Sequence, residues 1–84
     1  MKIKIVFLPP FTKFGKGEEI IVRSGSKLVF IIDELIKRHG SDFHRMLGSH
    51  LNDGVMILHN GRTVKEEDAL EEGEYVFCAV VAGG

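Results

Sequence analysis

The stretch that most constrains the fold is residues 74–81, EYVFCAVV. After Glu74 every side chain is apolar, on both of the faces that alternation along a strand would present. A strand of that composition belongs in the middle of a sheet, covered on both sides, and the rest of the chain must supply its neighbours.

At 84 residues the chain is expected to form one domain, 1–84, and a chain this short buries only about 60–65% of the surface it exposes when unfolded. It holds one modest core. KIKIVFL (2–8) alternates Lys2 and Lys4 with Ile3, Ile5 and Phe7, the period of a strand, and Pro9 and Pro10 end it because proline donates nothing to a ladder. After a loop with Gly15 and Gly17, EIIVR (19–23) reads as a shorter strand and the hairpin partner of the first.

The period then changes. Leu28, Ile32, Leu35 and Ile36 fall on one face of a helix, with Ser26 as its N-cap and Gly40 just past its end. Lys37, Arg38 and His39 fill the last turn, where positive charge suits the helix dipole. SDFHRMLG (41–48) reads as a second short helix from Ser41, stopped by Gly48. VMILHNGRTV (55–64) is a hairpin around Asn60-Gly61, the pair that best tolerates a type I′ turn. KEEDALEEG (65–73) is charged, with Leu70 as its one large apolar anchor, and is expected to be a surface turn of helix.

The order ββαββ, with a right-handed crossover and a central last strand, predicts an α+β fold: a mixed sheet with one main helix packed on one face. That architecture is the ubiquitin-like β-grasp. If Ile3, Ile5, Phe7, Val55, Ile57, Tyr75 and Phe77 face the helix, alternation sends Val6, Leu8, Met56, Leu58, Val76, Cys78 and Val80 to the opposite face. A solvated face should be polar at such positions. Because all seven are apolar, that face is expected to dock a partner.

Eleven Lys and Arg against twelve Asp and Glu give a formal charge of -1, so no long-range field favours nucleic acid or an anionic membrane. The only cysteine, Cys78, excludes an internal disulfide, a Cys-ligated zinc centre and a four-cysteine cluster. It is expected to be a small hydrophobe in a strand rather than a nucleophile. No signal peptide is visible in MKIKIVF, and no apolar run approaches the roughly 20 residues needed to span a bilayer, so the expected location is cytoplasmic.

His39, His44, His50 and His59 share no helical i, i+4 spacing with a supporting acid, and solvated or capping roles are expected rather than a metal site. Asp42, Asp53, Glu66, Glu67, Asp68, Glu71 and Glu72 read as a solvated face. GKGEE (15–19) lacks the strand, glycine loop and helix order of a phosphate-binding loop, which leaves no nucleotide site in this chain.

The sequence closes on Ala82-Gly83-Gly84. Without β-carbons the two glycines can extend through a channel that a side chain would block. A flexible arm at 82–84 is expected, and a carboxylate so presented is a chemical handle once something activates it.

Over essentially its whole length the chain resembles the sulfur carrier family of β-grasp proteins, the small subunit of molybdopterin synthase (MoaD-like) and the thiamin-pathway carrier (ThiS-like). The resemblance lies in MKIKIVFLPPF, LVFIIDELIKRHG, ILHNGRTV, LEEGEYVFCAVVAGG and the terminal Ala82-Gly83-Gly84, in that order and spacing. It implies that the chain is a carrier and not an enzyme, except as a synthase subunit, and that it binds no cofactor of its own. A ubiquitin-activating-enzyme-like adenylyltransferase (MoeB/ThiF-like) would use ATP to form an acyl adenylate at Gly84. A persulfide sulfur from a cysteine desulfurase or rhodanese-like donor would replace it, leaving a thiocarboxylate. Gly83 and Ala82 would give Gly84 a slim approach, while Met56, Leu58, Val76 and Val80 would dock the partner.

Ala79-Val80-Val81 is closer to the thiamin carriers, whereas the chain length and SDFHRMLGSHLND lean towards the MoaD side. The expected pathway is molybdopterin (molybdenum or tungsten cofactor) biosynthesis, with a MoaE-like large subunit as second partner. A thiamin role with thiazole synthase, tRNA thiolation, conjugation to other proteins through Gly84, and an interaction module without tail chemistry remain as alternatives.

Overall fold

The computed structural model describes residues 1–48 and 54–79. Its elements are β1 (Lys2–Phe7), a short 3-10 turn (Phe11–Phe14), β2 (Gly17–Ile21), α1 (Leu28–His39), α2 (Ser41–Leu47), β3 (Val55–His59), β4 (Arg62–Thr63) and β5 (Gly73–Ala79). The strands form one five-stranded sheet in the order β2-β1-β5-β3-β4. The apolar strand at 73–79 is central, as its composition requires. It runs parallel to β1 and antiparallel to β3, so the sheet is mixed.

The predicted inner set is buried throughout: Ile3, Ile5, Phe7, Val55, Ile57, Tyr75 and Phe77 pack with Leu28, Ile31, Ile32 and Leu35 of α1 and with Phe43 and Leu47 of α2. An aromatic cluster closes one end of this core. Phe11 and Phe14, brought in by the 3-10 turn, pack against Phe7, Phe43 and Phe77. The hairpin at 60–61 forms as expected: Asn60 (φ 52°) and Gly61 (φ 77°) occupy the left-handed region, and His59 pairs with Arg62 across a two-residue loop.

Three local expectations are corrected. The second strand lies at Gly17–Ile21 rather than 19–23, because the ladder with β1 pairs Val6 with Gly17 and Lys2 with Ile21. Ser26 does not cap α1. The N-cap position is Lys27, without a side-chain cap, and the free amides of Leu28 and Val29 donate to the carbonyls of Asp68 and Glu66 at 2.9 and 3.0 Å. For the same reason residues 65–73 form no helical turn. Their backbone is committed to turns that present carbonyls to α1, fastened by an Ala69–Lys27 bridge and by the buried Leu70. Asp68 fixes the first of these turns by accepting the Lys65 amide at 2.8 Å.

Candidate functional site

β5 organises the face of the sheet that α1 leaves uncovered. Val76 lies between Val6 on β1 and Leu58 on β3, and one step along, Cys78 pairs with Met56. Leu8 continues the row, its amide donating to the Phe77 carbonyl at 2.9 Å, and its side chain is 45% exposed. Val6, Met56, Leu58 and Val76 are half-buried. The expected docking residues Met56, Leu58 and Val76 are therefore contiguous on the outer face, with Val6 and Leu8 completing the patch.

Cys78 departs from the expectation of an exposed docking residue, being only 8% exposed. Its side chain is short, and it sits on the central strand beside Met56, whose carbonyl lies 3.8 Å from Sγ, and next to the row that ends in Leu8. Burial pushes the thiol above its ordinary value of 9.0, which keeps it protonated and poorly nucleophilic near neutrality.

The other half of the outer face is ionic. Lys4 stands opposite Glu74 at 3.9 Å, and Lys2 meets Glu19 at 3.2 Å. The apolar patch thus lies towards Ala79, the end of β5 that precedes the Gly-Gly sequence, and the charged half towards Gly73. Val80, Ala82, Gly83 and Gly84, together with His50 and Asp53, lie outside the described residues.

Two histidines expected to be solvated or capping are built into the structure. His39 Nε2 lies 2.7 Å from Glu18 Oε2, and its ring packs on Phe43. His59 is 8% exposed, stacks on Tyr75, and donates from Nδ1 to the Glu74 carbonyl at 2.9 Å. Its Nε2 faces Glu71 at 3.6 Å in an open hollow of about 580 Å³ that Arg62 and Asp68 also line. That hollow carries both signs of charge and sits at the opposite end of β5 from Ala79. Among the described residues no three His, Cys, Asp or Glu side chains converge on a point that could hold a metal ion. Nor, among them, is any helix long and apolar enough to cross a membrane.

A mixed sheet with its last strand central and its helices on one face is the ubiquitin-like β-grasp, and solved structures of that class match the chain. SAMP1 from Haloferax volcanii, a ubiquitin-like small archaeal modifier protein, superposes with a TM-score of 0.72 at 18% identity over 100% of both chains. The Haloferax volcanii HVO 2177 protein matches with a TM-score of 0.72 at 23% identity, over 100% of this chain and 87% of that one. A Pyrococcus furiosus protein provisionally described as molybdopterin converting factor, subunit 1, gives a TM-score of 0.66 at 24% identity over 92% of each chain. At these identities the likeness is one of fold. No family model and no curated protein matches the sequence.

Proposed function

We propose that the protein is a sulfur carrier charged at the carboxylate of Gly84, acting in molybdopterin biosynthesis. In the cycle this requires, the Gly84 carboxylate attacks the α-phosphorus of ATP inside a ubiquitin-activating-enzyme-like partner, and pyrophosphate leaves. The terminal sulfur of a persulfide displaces AMP from the acyl adenylate, and a thiol then reduces the acyl disulfide to free the thiocarboxylate. This chain supplies the carboxylate, a side-chain-free approach through Gly83 and a surface by which the partner holds it. Nucleotide and sulfur donor belong to the partners.

The observation that carries the proposal is the apolar outer patch of Val6, Met56, Leu58 and Val76 beside the end of β5 that leads, in sequence, to Ala82-Gly83-Gly84. An unpartnered patch of this kind marks a docking surface, and it lies towards Ala79, from which five residues of sequence lead to Gly84. The Pyrococcus furiosus protein of the same fold supports the pathway. The likeness to SAMP1 favours a second reading, in which the activated Gly84 ends as an amide on a lysine of another protein.

Intact-mass spectrometry of protein isolated from its own host separates the two. A species heavier by the exchange of one oxygen for sulfur at Gly84 supports the carrier. Conjugates of higher mass that disappear on deletion of Gly84 support the modifier. If Gly84 does not carry the free carboxylate, or its deletion changes neither product, both readings fail.

A further inference from the structure

β2 is an outer edge of the sheet, and its hydrogen-bonding groups divide cleanly. Met1 and Val22 exchange bonds in both directions at 2.9 Å, and the Phe7 amide donates to the Lys16 carbonyl. In an antiparallel ladder the bonded pairs alternate with non-bonded ones. Glu18 and Ile20 are therefore spent on β1, whereas the backbone groups of Glu19 and Ile21 point away from the sheet. Arg38 reaches the Glu19 carbonyl at 3.5 Å, which leaves that oxygen a second lone pair.

Natural edges are blunted by lysine, proline or a bulge. This one carries the opposite device: Ile21 is 72% exposed, the most exposed of the large apolar side chains described. Glu19 precedes it by two residues on the same face, and Arg23 follows it by two just past the end of the strand, where its carbonyl accepts the Ser26 amide at 3.1 Å, so the edge reads acid, apolar, base. A two-fold axis through Ile21 would set Ile21 against its own copy and Glu19 against Arg23 at both ends. Shifting the register so that Glu19 meets its own copy would oppose like charges.

We infer that the β2 edge is a self-association surface, on which a second copy of this chain pairs antiparallel about Ile21 to make one ten-stranded sheet. The pairing uses backbone groups of the β2 edge about Ile21, whereas Met56, Leu58 and Val76 lie on β3 and β5, beyond β1, so it is compatible with partner docking and independent of the chemistry at Gly84.

Sedimentation velocity over a concentration series tests the inference, with circular dichroism confirming that each variant is folded. The wild-type chain is expected to dimerise. Ile21→Lys, Glu19→Arg and Arg23→Glu should each raise the dimer dissociation constant by about tenfold or more, since Ile21→Lys opposes two lysines at the axis and each charge variant changes two cross-strand pairs at once. An equimolar mixture of Glu19→Arg with Arg23→Glu should dimerise again, because each reversed charge then meets its opposite across the two-fold axis. A wild-type monomer at every concentration overturns the inference. So does a dimer insensitive to these substitutions and abolished instead by Leu58→Asp, or a failure of the mixture to recover.

Discussion

The His59 ring lies flat on the Tyr75 ring, with centroids 4.2 Å apart and planes inclined by 10°. Both residues are held from their far sides. His59 Nδ1 donates to the Glu74 carbonyl, and the Tyr75 hydroxyl accepts the Glu71 amide at 2.9 Å. The stack thus ties the end of β3 to the start of the central strand and fixes the turn that leads into it. His59→Ala removes a buried stack and a hydrogen bond, and should lower unfolding stability by about 2–3 kcal/mol in urea titration. His59→Phe keeps the stack and leaves the carbonyl unpaired, so it should recover about half of that loss. Equal losses in the two variants would show that the stack contributes nothing.

Leu58 and Val76 are cross-strand neighbours on the outer face, half-buried and away from the core. Leu58→Asp and Val76→Asp should leave the thermal midpoint close to that of the parent chain. Affinity for a purified ubiquitin-activating-enzyme-like partner, measured by calorimetry, should fall by more than about tenfold, because a carboxylate would then be desolvated in the contact. Unfolded variants would mean that this face is packed rather than presented.

Gly17 opens β2 where the chain passes closest to β1. A β-carbon there would fall onto the carbonyl oxygen of Ile5, backbone that cannot move without breaking the β1–β2 ladder, and φ is +155°. Gly17→Ala is expected to cost about 2–3 kcal/mol in chemical denaturation, whereas Gly25→Ala, with open space at its β-carbon, should cost less.

Cys78 gives stability a defined pH dependence. Its folded-state thiol titrates above the unfolded one because burial disfavours the thiolate. Between the two values the unfolded chain has lost the proton and the folded chain has kept it. Stability is therefore unaffected well below the ordinary thiol value of 9.0 and declines as pH rises through it and beyond. The difference between wild type and Cys78→Ala, followed by denaturation from pH 7 to 10, should be flat at first and then shrink. Alkylation by iodoacetamide at pH 8 should be slower in the folded protein than in urea.

Much of this fold is written locally. The alternation of Lys2, Ile3, Lys4, Ile5 and Phe7, the helical spacing of Leu28, Ile32 and Leu35, and Asn60-Gly61 each specify their element through side-chain periodicity or backbone preference. The two-sided apolarity of 75–79 specifies that β5 is central. These are short-range properties, and the outer apolar patch follows from them by parity alone.

What the sequence could not disclose are contacts between residues far apart in the chain. Ser26 carries the side chain of an N-cap, yet the amides of α1 are met by the carbonyls of Glu66 and Asp68, about forty residues away. Cys78 has the parity of an exposed residue and is nevertheless buried beside Met56. His39 and His59 read as solvated or capping and instead join Glu18 and Tyr75 across the fold. Local periodicity set most of the elements and the face each strand presents, the turns at 65–73 excepted. Only the tertiary structure decided which backbone groups were already satisfied and which side chains their neighbours covered, because desolvation and hydrogen bonding depend on what the folded chain brings within a few ångströms.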